Sequence, residues 1–153
     1  MVSTYSMSVE QTLDRLAGRC SAKGAQLTEL RRLVMGSLLT AGRPVKAYDL
    51  MEAAGRAGRR LTPSTIYRVL DFLQENGLVH KVNALNAYVA CTDRGGHSEH
   101  RPLLLVCRDC QSTTEINDPD LGGAFFNQLA SLGFKTAGGS IEVRGQCPAC
   151  AGK

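Results

Sequence analysis

Apolar residues recur at helical spacing through the first half of the chain and at strand spacing in short runs beyond it. Val9, Leu13, Leu16, Ala17 and Cys20 lie on one stripe, the three-to-four-residue recurrence of an amphipathic helix. Ser8 and Gln11 make a capping-box signature in front of it, and Lys23-Gly24 ends it. The stripe makes Cys20 a core thiol. A second helix is predicted from Thr28, with Leu30, Val34 and Leu38 inward and Gly42 and Pro44 closing it. A third runs from about Val45 to Ala57. Thr62-Pro63 supplies a cap and a proline at the first helical position, opening a fourth helix with Ile66, Val69, Leu70 and Leu73 inward. Glu75-Asn76-Gly77 stops it.

Two short runs follow, Leu78 to Val82 and Ala87 to Ala90, with Asn83 and Asn86 in the turn between them; this is a hairpin pattern. Three helices and a two-stranded wing make a winged helix-turn-helix, with the first helix as an added element. The polar stretch from Thr92 to Arg101 contains Gly95-Gly96 and suits a hinge. Beyond it come a strand from Pro102 to Val106, a helix capped by Asp118-Pro119 with Leu121, Phe125, Leu129 and Leu132 on its inner face, and an alternating strand from Ser140 to Arg144. The predicted fold class is α+β. The winged helix, expected to be a DNA-binding domain, occupies residues 1–90, a hinge 91–101, and a small α/β domain 102–153.

Charge sharpens this division. Residues 1–90 carry 12 Lys and Arg against 7 Asp and Glu, and residues 91–153 carry 6 against 7. The formal charge of +4 therefore resides in the first half, the half expected to meet a polyanion. The N-terminal residues lack the basic and apolar regions of a secretory signal, and no stretch has the apolar length of a membrane helix. The expectation is a cytoplasmic protein with no membrane partner and no small-molecule substrate.

Without a secretion signal, six cysteines argue against a disulfide framework. Four of them form two Cys-x-x-Cys pairs, Cys107/Cys110 and Cys147/Cys150. Two such knuckles at strand ends can offer four thiolates to a tetrahedral zinc, tying the first strand of the second domain to the C-terminus. The competing reading, redox dithiols, calls for a helix opened by the motif to lower one thiol's pKa. At the second pair the chain end leaves no room for one.

Other potential ligands are His80, Cys91, His97, His100 and Glu115. His80 and Cys91 lie towards the outer ends of the hairpin strands, which brings them close. His97 and His100 lie in the hinge, and Glu115 just past the first knuckle. A metal held by all these regions would clamp the two domains in one relative orientation.

The segments Ala47-Tyr48-Asp49-Leu50, Pro63 to Leu73, Gly77 to Val82 and Tyr88 to Cys91, together with both knuckles, resemble the ferric-uptake-regulator family, and within it the zinc-responsive branch. The resemblance covers roughly Thr28 to Cys150. It implies a structural zinc on Cys107, Cys110, Cys147 and Cys150 and a regulatory zinc on His80, Cys91, His100 and Glu115, two per subunit. His97 is the alternative to His100, whose spacing to Cys107 matches. The chain lacks the His-rich cluster that iron-type members carry before the first knuckle, and no His-rich tail follows Cys150. Two imidazoles, one thiolate and one carboxylate complete a tetrahedral zinc shell, whereas iron(II) sites favour His and carboxylate ligands at more positions. A closed shell leaves no place for an activated water, which speaks against a hydrolase.

The resemblance further implies that 102–153 is a dimerisation domain, and that the homodimer formed through it acts as a repressor of zinc uptake genes on palindromic operator DNA when zinc fills the regulatory site. In the recognition helix, Ser64, Thr65, Tyr67 and Arg68 are the expected DNA-facing residues, with Arg68 able to read guanine through a bidentate pair. Tyr48 can touch a thymine methyl or a phosphate. Lys46, Arg59, Arg60 and Lys81 are candidate phosphate contacts, which position without specifying sequence. Three other functions compete: an iron or peroxide sensor of the same fold, a zinc enzyme using His80, His100 and Glu115, and a two-zinc module with no DNA partner.

Overall fold

The computed structural model describes residues 7–92, 101–137 and 139–153. Four helices come first: α1 (Val9–Ala22), α2 (Glu29–Ala41), α3 (Ala47–Arg56) and α4 (Pro63–Glu75). The start of each except α3 is set by a side-chain cap. Ser8 and Gln11 form the reciprocal capping box of α1, Thr28 accepts the Arg31 N–H, and Thr62 accepts the Thr65 N–H with Pro63 at the first helical position. Gly42 ends α2 in the left-handed conformation, which costs a residue without a Cβ little. The predicted stripes bury Leu13, Leu16 and Cys20 of α1, Val34, Met35 and Leu38 of α2, Leu50 of α3, and Ile66, Val69, Leu70 and Leu73 of α4 in one core.

The third helix begins two residues later than its apolar pattern predicts. Val45 instead exchanges two 2.8 Å backbone hydrogen bonds with Tyr88, adding a one-residue rung to the wing. The wing itself is the antiparallel pair β1 (Val79–Val82) and β2 (Ala87–Ala90), joined by a 3-10 turn, Asn83–Leu85, with Asn86 left-handed after it. Strand alternation gives this hairpin two covered faces. Val79, Tyr88 and Ala90 pack on the helical core. Val82 and Val89 pack on Leu104 and Val106 of the second half.

The second half is a three-stranded sheet in the order β4-β3-β5. Its strands are β3 (Leu103–Cys107), β4 (Thr113–Ile116) and β5 (Ile141–Gly145). The pair β3/β4 is antiparallel; β5, reached through α5 (Pro119–Ser131), is parallel to β3. The architecture is α+β, as the pattern predicts, but three details differ. The strand β4, which carries Glu115, is absent from the sequence prediction. The expected inner face of α5 is open: Leu121 and Phe125 are exposed, as are Leu132 and Phe134 just beyond the helix, at 73% and 63%. Finally, a short helix α6 (Pro148–Ala151) opens at Cys147, which corrects the expectation that the chain end leaves no room for a helix at the second cysteine pair.

Candidate metal centres and nucleic-acid face

The four knuckle cysteines meet at one end of the sheet. Cys107 ends β3, Cys110 follows in the turn, Cys147 caps α6 and Cys150 lies in it. Their sulfurs all lie within 4.8 Å of one another, and Cys110 Sγ is 3.7 Å from Cys147 Sγ. A tetrahedral zinc with sulfurs at ~2.3 Å requires edges of ~3.8 Å between them, so the spacing fits the ion.

The electrostatics fit it too. The backbone N–H groups of Cys110 and Cys147, with that of Asp109, point at Cys107 and pull its thiol down to about 6; the Cys147 N–H donates to its sulfur at 3.3 Å. The Ser112 hydroxyl and N–H lower Cys110. Cys150 is pushed up to about 12, chiefly by its hydrogen bond with Cys147 and then by that with Cys110. Such a cluster gives up its first protons readily and resists losing the last. A bound cation removes that resistance, because coordination deprotonates a thiol outright.

The second cluster joins the two halves of the molecule. His80 pairs with Val89 across the hairpin, and the Cys91 N–H continues the ladder to the Leu78 carbonyl at 2.9 Å. His80 and Cys91 are thus diagonal neighbours on the wing face that meets the sheet. From the sheet comes Glu115 of β4, its Oε1 3.3 Å from His80 Nε2 and 3.7 Å from Cys91 Sγ. Its Oε2 accepts the Thr92 N–H and the Thr92 hydroxyl, each at 3.0 Å, and the Asn117 amide donates to that hydroxyl at 3.1 Å. One carboxylate oxygen is thereby fixed, and the other is aimed at the imidazole and the thiol. His80 is only 8% exposed. The three ligand atoms lie within 4.8 Å of one another, and an imidazole, a thiol and a carboxylate are a zinc-type donor set. His97 and His100, the hinge candidates for a further donor, lie outside the described residues, as does Gly95-Gly96.

Residues expected to face DNA are distributed less uniformly. Tyr48 and Tyr67 stand out from α3 and α4 at 68% and 47% exposure, and Lys46, Ser64 and Arg68 are exposed beside them in the sequence. Thr65 is half-buried and shares a 2.9 Å hydroxyl contact with the cap Thr62, which also contacts Ser64 at 3.1 Å. Both hydroxyls therefore serve the helix start first. Lys81 is half-buried, its amine 6.0 Å from the Tyr88 ring centre. Arg59 pairs with Glu29, while Arg60 is exposed.

Thr92 and Asn117 escape sequence reading altogether, because nothing in their local pattern signals that they orient a carboxylate. No helix among the described residues is long and apolar enough to cross a membrane.

Comparison with known proteins converges on one group. The profile of the ferric uptake regulator family matches residues 22–144. The zinc uptake regulation protein of Escherichia coli K12 is 31% identical over 131 residues, 86% of this chain and 76% of that protein. A zinc uptake regulator solved with zinc and DNA superposes with a TM-score of 0.85 at 29% identity, covering 95% of this chain and 97% of that one. The protein XcZur in its holo form gives 0.83 at 35% identity, covering 95% and 100%. Its apo form gives 0.53 at 36% identity, covering 94% and 97%.

Proposed function

Since this chain belongs to the ferric uptake regulator family, we propose that it is a zinc-responsive transcriptional repressor that binds palindromic operator DNA as a homodimer and controls zinc uptake genes. The family consists of transcription regulators rather than enzymes, and no catalytic residue is assigned. Operator binding would take place where the chromosome is, in the cytoplasm.

One observation carries this reading: His80 and Cys91 from the wing converge on Glu115 from the sheet of the second half. We assign residues 1–90 to the DNA-binding domain, 91–101 to the hinge and 102–153 to the dimerisation domain; a cluster that takes His80 from the first and Glu115 from the last supports that division. His80, Cys91 and Glu115, with His100 as the proposed fourth donor, would hold a zinc ion, which would supply a cross-link between the two halves. His80 and Cys91 hold the wing end of that link, and Glu115, steadied by Thr92, holds the sheet end. A thiol in the set favours zinc over the iron of other family members. The knuckle cysteines 107, 110, 147 and 150 are the proposed structural zinc ligands, giving two ions per subunit.

Support for domain orientation as the controlled variable comes from the relatives. This chain superposes far better on the holo and DNA-bound forms than on the apo form of a protein of similar identity. Support for the homodimer comes from the open apolar surface of α5, with Leu121 and Phe125, from Leu132 and Phe134 just beyond it, and from Leu105 and Val143 on the sheet face turned away from the wing. An apolar surface of this kind is an expected interaction site. In the dimer, Arg68 would read a base edge, Tyr48 and Tyr67 would contact bases or sugar-phosphate, and Ser64, Thr65, Lys46 and Lys81 would contribute positioning contacts.

The test is a zinc titration of chelator-treated protein, following binding to a labelled palindromic fragment from a zinc-importer promoter. Wild type should bind only with the second zinc equivalent. Cys91→Ser should keep one zinc and fail to respond to the second. Arg68→Ala should respond but bind the operator more weakly by ~1–3 kcal/mol. Operator binding that ignores the second equivalent would remove the sensor assignment.

A further inference from the structure

Glu115 has a counterpart on the opposite edge of the same sheet. Leu104 of β3 is in register with Glu115 on one side and with Glu142 of β5 on the other. In-register neighbours project to one face of a sheet, so the two carboxylates flank a fully buried leucine on the face that meets the wing. Glu115 reaches the open end of the hairpin, at His80, Cys91 and Thr92. Glu142 reaches its tip. One Glu142 oxygen accepts the Asn83 N–H and the other accepts the Ala84 N–H at 2.9 Å.

These two amides open the 3-10 turn of the wing, and the first N–H groups of a helical turn find no partner within it. A carboxylate that takes both makes a charge-assisted, two-point contact, stronger and more directional than an ordinary pair. Beside it the Ser140 hydroxyl donates to the Lys81 carbonyl at 3.4 Å. Between the two carboxylates, Val82 and Leu85 pack against the apolar cluster around Leu104. The orientation that brings Glu115 to His80 and Cys91 is therefore the one that brings Glu142 to the wing tip. Only the first of these contacts lies at the metal cluster.

We infer that Glu142 is a second, metal-independent clasp between wing and sheet, a positioning residue that favours the DNA-competent orientation before the regulatory site fills and so sets the zinc concentration at which the protein binds its operator. This rests on the proposal above that domain orientation controls operator binding. A contact made only in the competent state raises its population and lowers the ligand concentration needed to complete the shift.

The experiment compares wild type, Glu142→Ala and Glu142→Gln, each loaded with structural zinc. Operator binding is titrated with buffered free zinc, and hydrogen exchange at the Asn83 and Ala84 amides is measured at limiting zinc. Glu142→Ala should raise the zinc midpoint about fivefold or more, with affinity at saturating zinc near wild type and faster exchange at both amides. Glu142→Gln, which keeps one acceptor oxygen, should fall between. An unchanged midpoint with unchanged protection would overturn the inference. So would an equal loss of affinity at every zinc concentration, which marks general damage to the fold. If wild type binds the operator without regard to zinc, the sensor reading fails, and the clasp then stands or falls on amide protection alone.

Discussion

Glu115 acts through both of its oxygens, and they do different work. One faces His80 and Cys91, and the other is held by the backbone and hydroxyl of Thr92. Partners that orient a ligand in this way typically change metal affinity 10- to 100-fold when removed. Thr92→Val, which deletes the hydroxyl and keeps the N–H, should weaken zinc at this site about tenfold in a chelator competition and leave the knuckle zinc untouched. Equal affinity would mean that the N–H alone fixes the carboxylate. The convergence of the candidate donors His80 and Cys91 was legible from the chain, since both lie towards the outer ends of the strands of a predictable hairpin. Their orienting partners were not, because a threonine after a strand and an asparagine before a helix are common for other reasons.

At the scale of elements, α1, α2 and α4 were legible because cap, stripe and stop agree in each. Thr62-Pro63, the stripe through Leu70 and the Asn76-Gly77 stop all point to α4. Thr62 has a further burden: its hydroxyl meets the Thr65 N–H and both neighbouring hydroxyls at the start of the proposed recognition helix. Thr62→Ala should cost about 1 kcal/mol of stability, read from denaturant unfolding, and should weaken operator binding more than a surface substitution on α1 does. A loss of binding no greater than the α1 control would detach the cap from recognition.

The elements that were misread have little pattern of their own. The four residues Thr113–Ile116 become a strand because β3 offers an edge to pair with, a preference that lies in context rather than sequence. Val45 looks helical from its neighbours and is taken instead by Tyr88. The periodicity of α5 correctly identifies an apolar face, but periodicity does not say whether the chain itself or a partner covers it.

For the whole molecule, the wing is the element on which everything converges. Its inner face completes the helical core, and its outer face lies on the sheet, with a carboxylate at either end of the contact. In the proposed function that arrangement would couple the candidate metal cluster to the posture of the proposed recognition helix, because α4 leads into β1. The division into two halves was legible from charge and the polar stretch before β3. The second carboxylate was not, since the register that aligns Glu142 with Leu104 and Glu115 emerges only when three separate strands are assembled.

The most direct test of this coupling is the zinc affinity of the His80–Cys91–Glu115 site measured with and without saturating operator DNA. Linkage requires that the operator tighten zinc binding by the factor with which zinc tightens operator binding, here predicted to be about 5- to 150-fold. Equal zinc affinity in the two conditions would contradict the account, leaving a DNA-binding fold whose metal does not govern it.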